Sequence, residues 1–207
     1  MKPSATHIIN PTNSPARDSL CHFALRKTCS PAGARTNTYI AFDTTDVLDM
    51  QSIHLSAFRE LKSWQKNHPD RFNFINLEEI EFLSMHDDIL EKEIRNHFMD
   101  IMRKADNVLV PASPMLNTKN MLLNWQISYA VNALRLPVTV FYIGPSKLED
   151  KDIRAYWNWL PTKIRKYIGL DSARMAHIPM TRDKMERALN AFSRTKNTFP
   201  WDSTTIF

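Results

Sequence analysis

Residues 137–143 read PVTVFYI, the most continuously apolar run in the chain. A strand with one face in water alternates polar and apolar residues, whereas one covered on both faces does not, so this run reads as a central strand of a parallel sheet. Pro137 opens it, at a position where a missing N–H costs no ladder bond. A central strand needs neighbours. Upstream, Leu123, Ile127, Ala130, Val131 and Leu134 recur at three- and four-residue spacing, the stripe of a helix packed on a sheet, and Asn107–Ala112 (NVLVPA) is another short apolar run. Downstream, a helical region at about 150–168 carries Trp157, Trp159 and Leu160 and is broken by Pro161, and Met175–Pro179 (MAHIP) is a further strand.

The same alternation extends to both ends. Thr38–Phe42 (TYIAF) is a first strand, followed by Asp46 or Asp49 as a helix cap and by a stripe of Met50, Ile53, Ala57, Leu61 and Trp64. Phe72–Leu77 (FNFINL) is a second strand, and Leu90, Ile94, Phe98, Ile101 and Ala105 mark the next helix. Thr181 is placed to cap a last helix with Met185, Leu189 and Phe192 inward. Five strand-then-helix units predict an α/β, flavodoxin-like three-layer sandwich over residues 37–196, with a five-stranded parallel sheet of order 2-1-3-4-5. Residues 197–207 are expected to be a C-terminal tail.

Residues 1–36 differ in kind. Pro3, Pro11, Pro15 and Pro31 stand among Ser, Thr and Asn without sustained periodicity, which predicts a disordered extension. This segment holds a net +4 of the chain's +5, so the remaining residues are nearly neutral and nucleic acid is not an expected partner. Cys21 and Cys29 also lie there, without the spacing or partners of a zinc site or a disulfide framework, and a reducing, cytoplasmic compartment is expected. No run approaches the about 20 apolar residues that span a bilayer, so no membrane is expected as a partner.

In an open parallel sheet the ligand crevice lies beyond the carboxyl ends of the strands where the strand order reverses, here between strands one and three. The candidate loops are therefore 43–49 (DTTDVLD) and 113–120 (SPMLNTKN), whose Asp, Thr, Ser and Asn residues also suit turns and helix caps. Several chemistries are excluded. A phospho-receiver needs an aspartate at the end of strand three, where Pro111, Ala112 and Ser113 stand. A Walker loop or dinucleotide fingerprint needs spaced glycines, and the chain has only Gly33, Gly144 and Gly169. The His residues are scattered, and His97 and His177 read as structural.

Three stretches resemble the TIR-like family of the Thoeris antiphage defence system, bacterial TIR-domain relatives. They are TYIAFD at 38–43 with the helix ending LKSWQKN at 61–67, RFNFINL at 71–77 with LEKEIRNHFMDIMRKADNVLV at 90–110, and NWQISYAVNALRLPVTVFYIG at 124–144. The last is similar to the family's W-E-I helix leading into its fourth strand. The resemblance implies a domain of bacterial immune signalling that binds NAD and, when active, cleaves it as a glycohydrolase or cyclase to an ADP-ribose-type signal. It implies as partners a nucleotide ligand and either a homo-oligomer or an effector protein, with NAD as substrate or ligand and no permanently bound cofactor.

Cleaving the nicotinamide–ribose bond develops oxocarbenium charge, which a nearby carboxylate stabilises in the transition state. The family's Glu has Gln126 in its place here, which can hydrogen-bond a ribose hydroxyl but supplies no charge. Either the protein is a binding or regulatory relative, or another acid such as Asp43 or Asp46 substitutes, or a Glu has been replaced so as to trap substrate. Asp43, Thr44, Asp46, Ser113, Asn117 and Trp125 are the expected ligand contacts, with Asp43 and Ser113 on ribose or phosphate, Trp125 against a ring and Gln126 in the catalytic slot. Two rival readings are a non-catalytic interaction module of the same fold and a nucleoside deoxyribosyltransferase-like enzyme, the latter also weakened by Gln126.

Overall fold

Every residue of Asn107–Ala112 (β3), Val138–Tyr142 (β4) and Met175–Pro179 (β5) is buried in the computed structural model, as strands sheathed on both faces must be. The structure describes residues 35–43, 53–83, 91–149, 152–194 and 204–207. In chain order, the remaining elements before β3 are β1 (Asn37–Ile40), α1 (Ile53–Asn67), β2 (Asn73–Phe74), α2 (Leu77–Leu83) and α3 (Glu91–Met102). After β3 come α4 (Met121–Ser128), α5 (Asp152–Ala155), α6 (Thr162–Leu170), α7 (Arg182–Ala191) and β6 (Thr204–Ile206). The sheet is wholly parallel with order β2-β1-β3-β4-β5-β6. The chain is therefore an α/β protein of the flavodoxin-like, three-layer kind.

The two helical layers are visible in their contacts. On one side, Glu60 and Trp64 of α1 share a surface with Arg182 and Asp183 of α7, and Glu186 of α7 pairs with Arg71 at 3.1 Å. On the other, Arg95 of α3 lies over the Trp125 ring of α4, and Asn124 of α4 accepts a hydrogen bond from the Lys163 amide of α6. Phe42, Phe58 and Phe98 meet edge to face over the carboxyl end of β1, so α1 and α3 are both anchored on that strand. Among the described residues, no helix is long and apolar enough to cross a membrane.

Three expectations change. The second strand is two residues, not the six of 72–77, because the chain turns off the sheet after Phe74 and starts α2 at Leu77. Asn76 then takes over the ladder: its Oδ1 accepts from the Ile40 amide and its Nδ2 donates to the Ile40 carbonyl, each at 2.8 Å. The sheet also has a sixth strand, in the segment expected to be a tail. Thr204–Ile206 (TTI), rich in the β-branched residues that suit a pleated surface, pairs with Met175, Ala176 and His177, and Phe207 packs edge-on against Phe192 at 5.8 Å. Thr181 occupies the residue before α7 in an extended conformation, but its side chain makes no capping bond. The expected caps Asp46 and Asp49 lie outside the described residues.

His177 sits in the middle of β5 with no exposed surface, its Nδ1 3.0 Å from the Tyr142 hydroxyl. Burial lowers its pKa from 6.5 to about 4, so the folded ring stays neutral while the unfolded one charges at mildly acid pH. Its contribution to stability is complete above pH 6.5 and is lost progressively as pH falls toward 4, amounting to roughly 3 kcal/mol at the lower end. Urea unfolding of the protein and of His177→Gln at pH 7.5 and pH 4.5 measures it. The wild type should lose markedly more stability than the variant between the two pH values, and equal losses would place the ring elsewhere.

Candidate functional site

β1 and β3 are adjacent, but the chain leaves β1 toward β2 and β3 toward β4, so their carboxyl ends bound the one place where connections diverge. Within β1, the main-chain groups of successive residues point to alternate edges. The Ala41 amide donates to the Leu109 carbonyl of β3 at 2.8 Å. Ile40 and Phe42 face the other edge, where β2 has already ended. Asn76 serves Ile40. Phe42 is served from α4: Gln126 Nε2 donates to the Phe42 carbonyl at 2.9 Å, and Gln126 Oε1 accepts from the Phe42 amide at 3.4 Å. The same Oε1 accepts from the Tyr39 hydroxyl at 2.8 Å, and Nε2 also reaches the Leu122 carbonyl at 3.4 Å.

Gln126 has no exposed surface. It is thus neither a surface residue nor open to the crevice, and its amide is committed at both ends to the protein. A carboxamide suits this position because it donates and accepts at once, whereas an ionised carboxylate only accepts. Tyr39 is held as the neutral donor, since burial first and the Glu79 charge second push its pKa well above 10.

Two further polar pairs lie at the ends of β1 and β3. Asp43 and Ser113, at the ends of the strand segments, are each 1% exposed, so both are buried in the structure. Asp43 Oδ1 accepts from Asn120 Nδ2 at 2.7 Å, while Asn120 Oδ1 caps α4 through the Leu123 amide at 2.8 Å. Asn120 therefore couples the charge at the end of β1 to the start of the helix that carries Gln126. The Ser113 hydroxyl lies 2.6 Å from His54 Nε2 and also accepts from the Met115 amide at 3.3 Å. Asn117 is exposed and its Oδ1 accepts from the Lys119 amide at 3.3 Å, which is turn chemistry at the loop's outer edge. Thr44 and Asp46 lie outside the described residues.

Trp125 does not join this group. One residue along an α-helix turns a side chain by about 100°, so the neighbour of a core-facing Gln126 points away from β1. Trp125 stacks on Tyr129 at 5.9 Å, under Arg95, and lines a separate surface cleft. The members of the cluster missed by sequence reasoning are Tyr39, His54, Asn76 and Asn120, the last read only as the end of the 113–120 loop. His54 adjoins the predicted stripe of α1, one position after Ile53, and is buried on the same face as the stripe's Ala57 and Leu61. Its partner is 59 positions away, a pairing no local pattern signals. Among the described residues, no group of His, Cys, Asp or Glu side chains is arranged to hold a metal ion.

Comparison with protein-family models finds no match for this chain, and comparison with curated proteins finds none.

Replacing Gln126 by Glu removes the donor to the Phe42 carbonyl and places a carboxylate against it. The cost is about 1–3 kcal/mol for the unsatisfied buried group. Burial raises the introduced carboxyl's pKa, and the protonated form can donate again, so the stabilising effect of protonation is present at acid pH and disappears as pH rises through the folded value. Gln126→Glu should melt below the wild type at pH 8 and recover part of the difference at pH 5, both relative to Gln126→Met. A wild-type melting temperature at pH 8 would show that the amide does not hold Phe42.

Proposed function

We propose that this chain is a nucleotide-binding domain of the TIR-like, antiphage-signalling kind, which takes NAD or an ADP-ribose derivative at the carboxyl ends of β1 and β3 and does not cleave it at an enzymatic rate. The observation that carries the reading is the neutral, doubly engaged amide of Gln126 at the position where the resemblance implies a glutamate. Support comes also from the parallel sheet with its switch point and from the polar residues beside it, the buried Asp43 and Ser113 and the half-buried Asn120.

The chemistry follows from charge. As the glycosidic bond lengthens, the ribose becomes cationic, and a fixed negative group beside it lowers the barrier. Gln126 offers no such charge, and turning its amide toward a ligand would abandon the Phe42 main chain and the Tyr39 hydroxyl. Asp43 is the negative group near the strand end among the described residues of the cluster, and the Asn120 amide hydrogen-bonds it. A ribose hydroxyl can be recognised by these groups without the ground state being driven toward bond cleavage. Losing one well-placed electrostatic stabiliser typically costs on the order of 10²- to 10³-fold in rate, which separates a receptor from an enzyme. The engagement of Gln126 by the protein itself also favours the rival interaction module, in which the fold assembles without a nucleotide.

Calorimetry with NAD and with ADP-ribose, together with chromatography of NAD after long incubation, distinguishes the readings. The expected result is saturable binding with NAD recovered intact, and weakening by roughly tenfold in Asn117→Asp, whose added charge opposes the ligand phosphates. Rapid cleavage would assign the catalytic charge to an aspartate, and no binding of either ligand would leave the interaction module.

A further inference from the structure

The bond between His54 and Ser113 is not needed to hold a nucleotide, yet it joins a base to a nucleophile. Nε2 of the ring and Oγ of the hydroxyl are 2.6 Å apart across 59 positions of sequence, and each residue is 1% exposed. Serine is a weak nucleophile until a base within hydrogen-bond reach takes its proton, and this separation lies at the short end of that reach. The direction of the bond follows from the other contact of the hydroxyl. Ser113 Oγ accepts from the Met115 amide at 3.3 Å, which leaves its own hydrogen for His54 Nε2 and places the ring hydrogen on Nδ1.

Both members are fixed by the core. His54 stands in the first turn of α1, and one turn further on Phe58 packs edge-on against Phe42 at 6.5 Å. Ser113 follows β3 directly. The Ala112 carbonyl accepts from the Ile143 amide at 3.0 Å, and the Ser113 carbonyl accepts from the Leu116 amide at 3.3 Å, so the chain turns at the carboxyl edge of the sheet with Ser113 at the corner. That edge is where parallel sheets present reactive groups to ligands, and a serine on the turn leaving a strand is one way they do it. Burial has two consequences. Bulk water does not compete for the hydroxyl or the imidazole, and a substrate that reaches the Oγ must be small.

We infer that Ser113 is a nucleophile activated by His54, acting on short-chain acyl esters. In the first step a bond forms between Ser113 Oγ and the acyl carbon while the serine proton passes to His54 Nε2. The ester C–O bond then breaks, and the alcohol leaves with that proton. In the second step water gives one proton to His54 Nε2 and its oxygen to the acyl carbon, the acid is released, and the proton returns to Ser113 Oγ. No nucleotide takes part, so this activity stands or falls apart from the NAD reading.

The test treats the full chain with diisopropyl fluorophosphate and maps the adduct by peptide mass spectrometry. In parallel, hydrolysis of p-nitrophenyl acetate and p-nitrophenyl octanoate is followed after Cys21 and Cys29 have been alkylated. The adduct is expected on Ser113, and the acetate should be cleaved at least about tenfold faster than the octanoate. Ser113→Ala and His54→Gln should each lower acetate hydrolysis by on the order of 10²-fold or more while melting cooperatively. Where either variant fails to fold, the mapped adduct on the wild type decides. An adduct elsewhere or none, wild-type acetate hydrolysis in both folded variants, or faster cleavage of the octanoate would each overturn the inference. NAD binding without the Ser113 adduct sinks this inference alone, and the adduct without NAD binding sinks the nucleotide reading alone.

Discussion

Everything at the carboxyl end of the sheet depends on how β1 is held after its neighbour β2 has ended. A strand cannot leave its main-chain donors and acceptors unpaired in a dry interior. Two side-chain amides solve this, Asn76 on Ile40 and Gln126 on Phe42, each bonding to both the amide and the carbonyl of the residue it serves. The first lets the chain turn early into α2. The second pins α4 to the strand and, through Tyr39 and Asn120, sets the positions of the polar groups around the switch point.

This arrangement ties chemistry to architecture. An acid at position 126 could take part in glycosidic cleavage, but it could not donate to the Phe42 carbonyl, and the strand end would pay for the charge with a buried, repelled carboxylate. A glutamine makes the opposite choice, giving a tighter strand end and no negative charge where a ribose cation would form. Its neighbour Trp125 lines a separate surface cleft on the far side of the helix.

Much of the fold was legible because burial on both faces leaves a plain mark. NVLVPA and MAHIP are bounded to the residue, and PVTVFYI to within one at each end, because apolar residues dominate each run and their few polar members, Asn107, Thr139 and His177, are buried with them. FNFINL was read too long because Asn76 looks like a polar position in an alternating strand, whereas it functions as a substitute for the strand. TTI is too short and too far from any stripe to be read as a strand, and its pairing with β5 is a long-range event. Asp43 and Ser113 were found at the strand ends because topology alone selects those positions. His54, Tyr39 and the inward turn of Gln126 were hidden because their partners are 59 and 87 positions away, respectively for His54 and for the Tyr39–Gln126 pair.

The central claim is that Gln126 holds the strand and not the ligand. A crystal structure of the protein grown with ADP-ribose tests it most directly, because the ligand and the amide are seen together. The account predicts ligand density beyond Asp43 and Ser113 with the Gln126 amide still bonded to both main-chain groups of Phe42. An amide rotated onto the ribose, with Phe42 released, would contradict it.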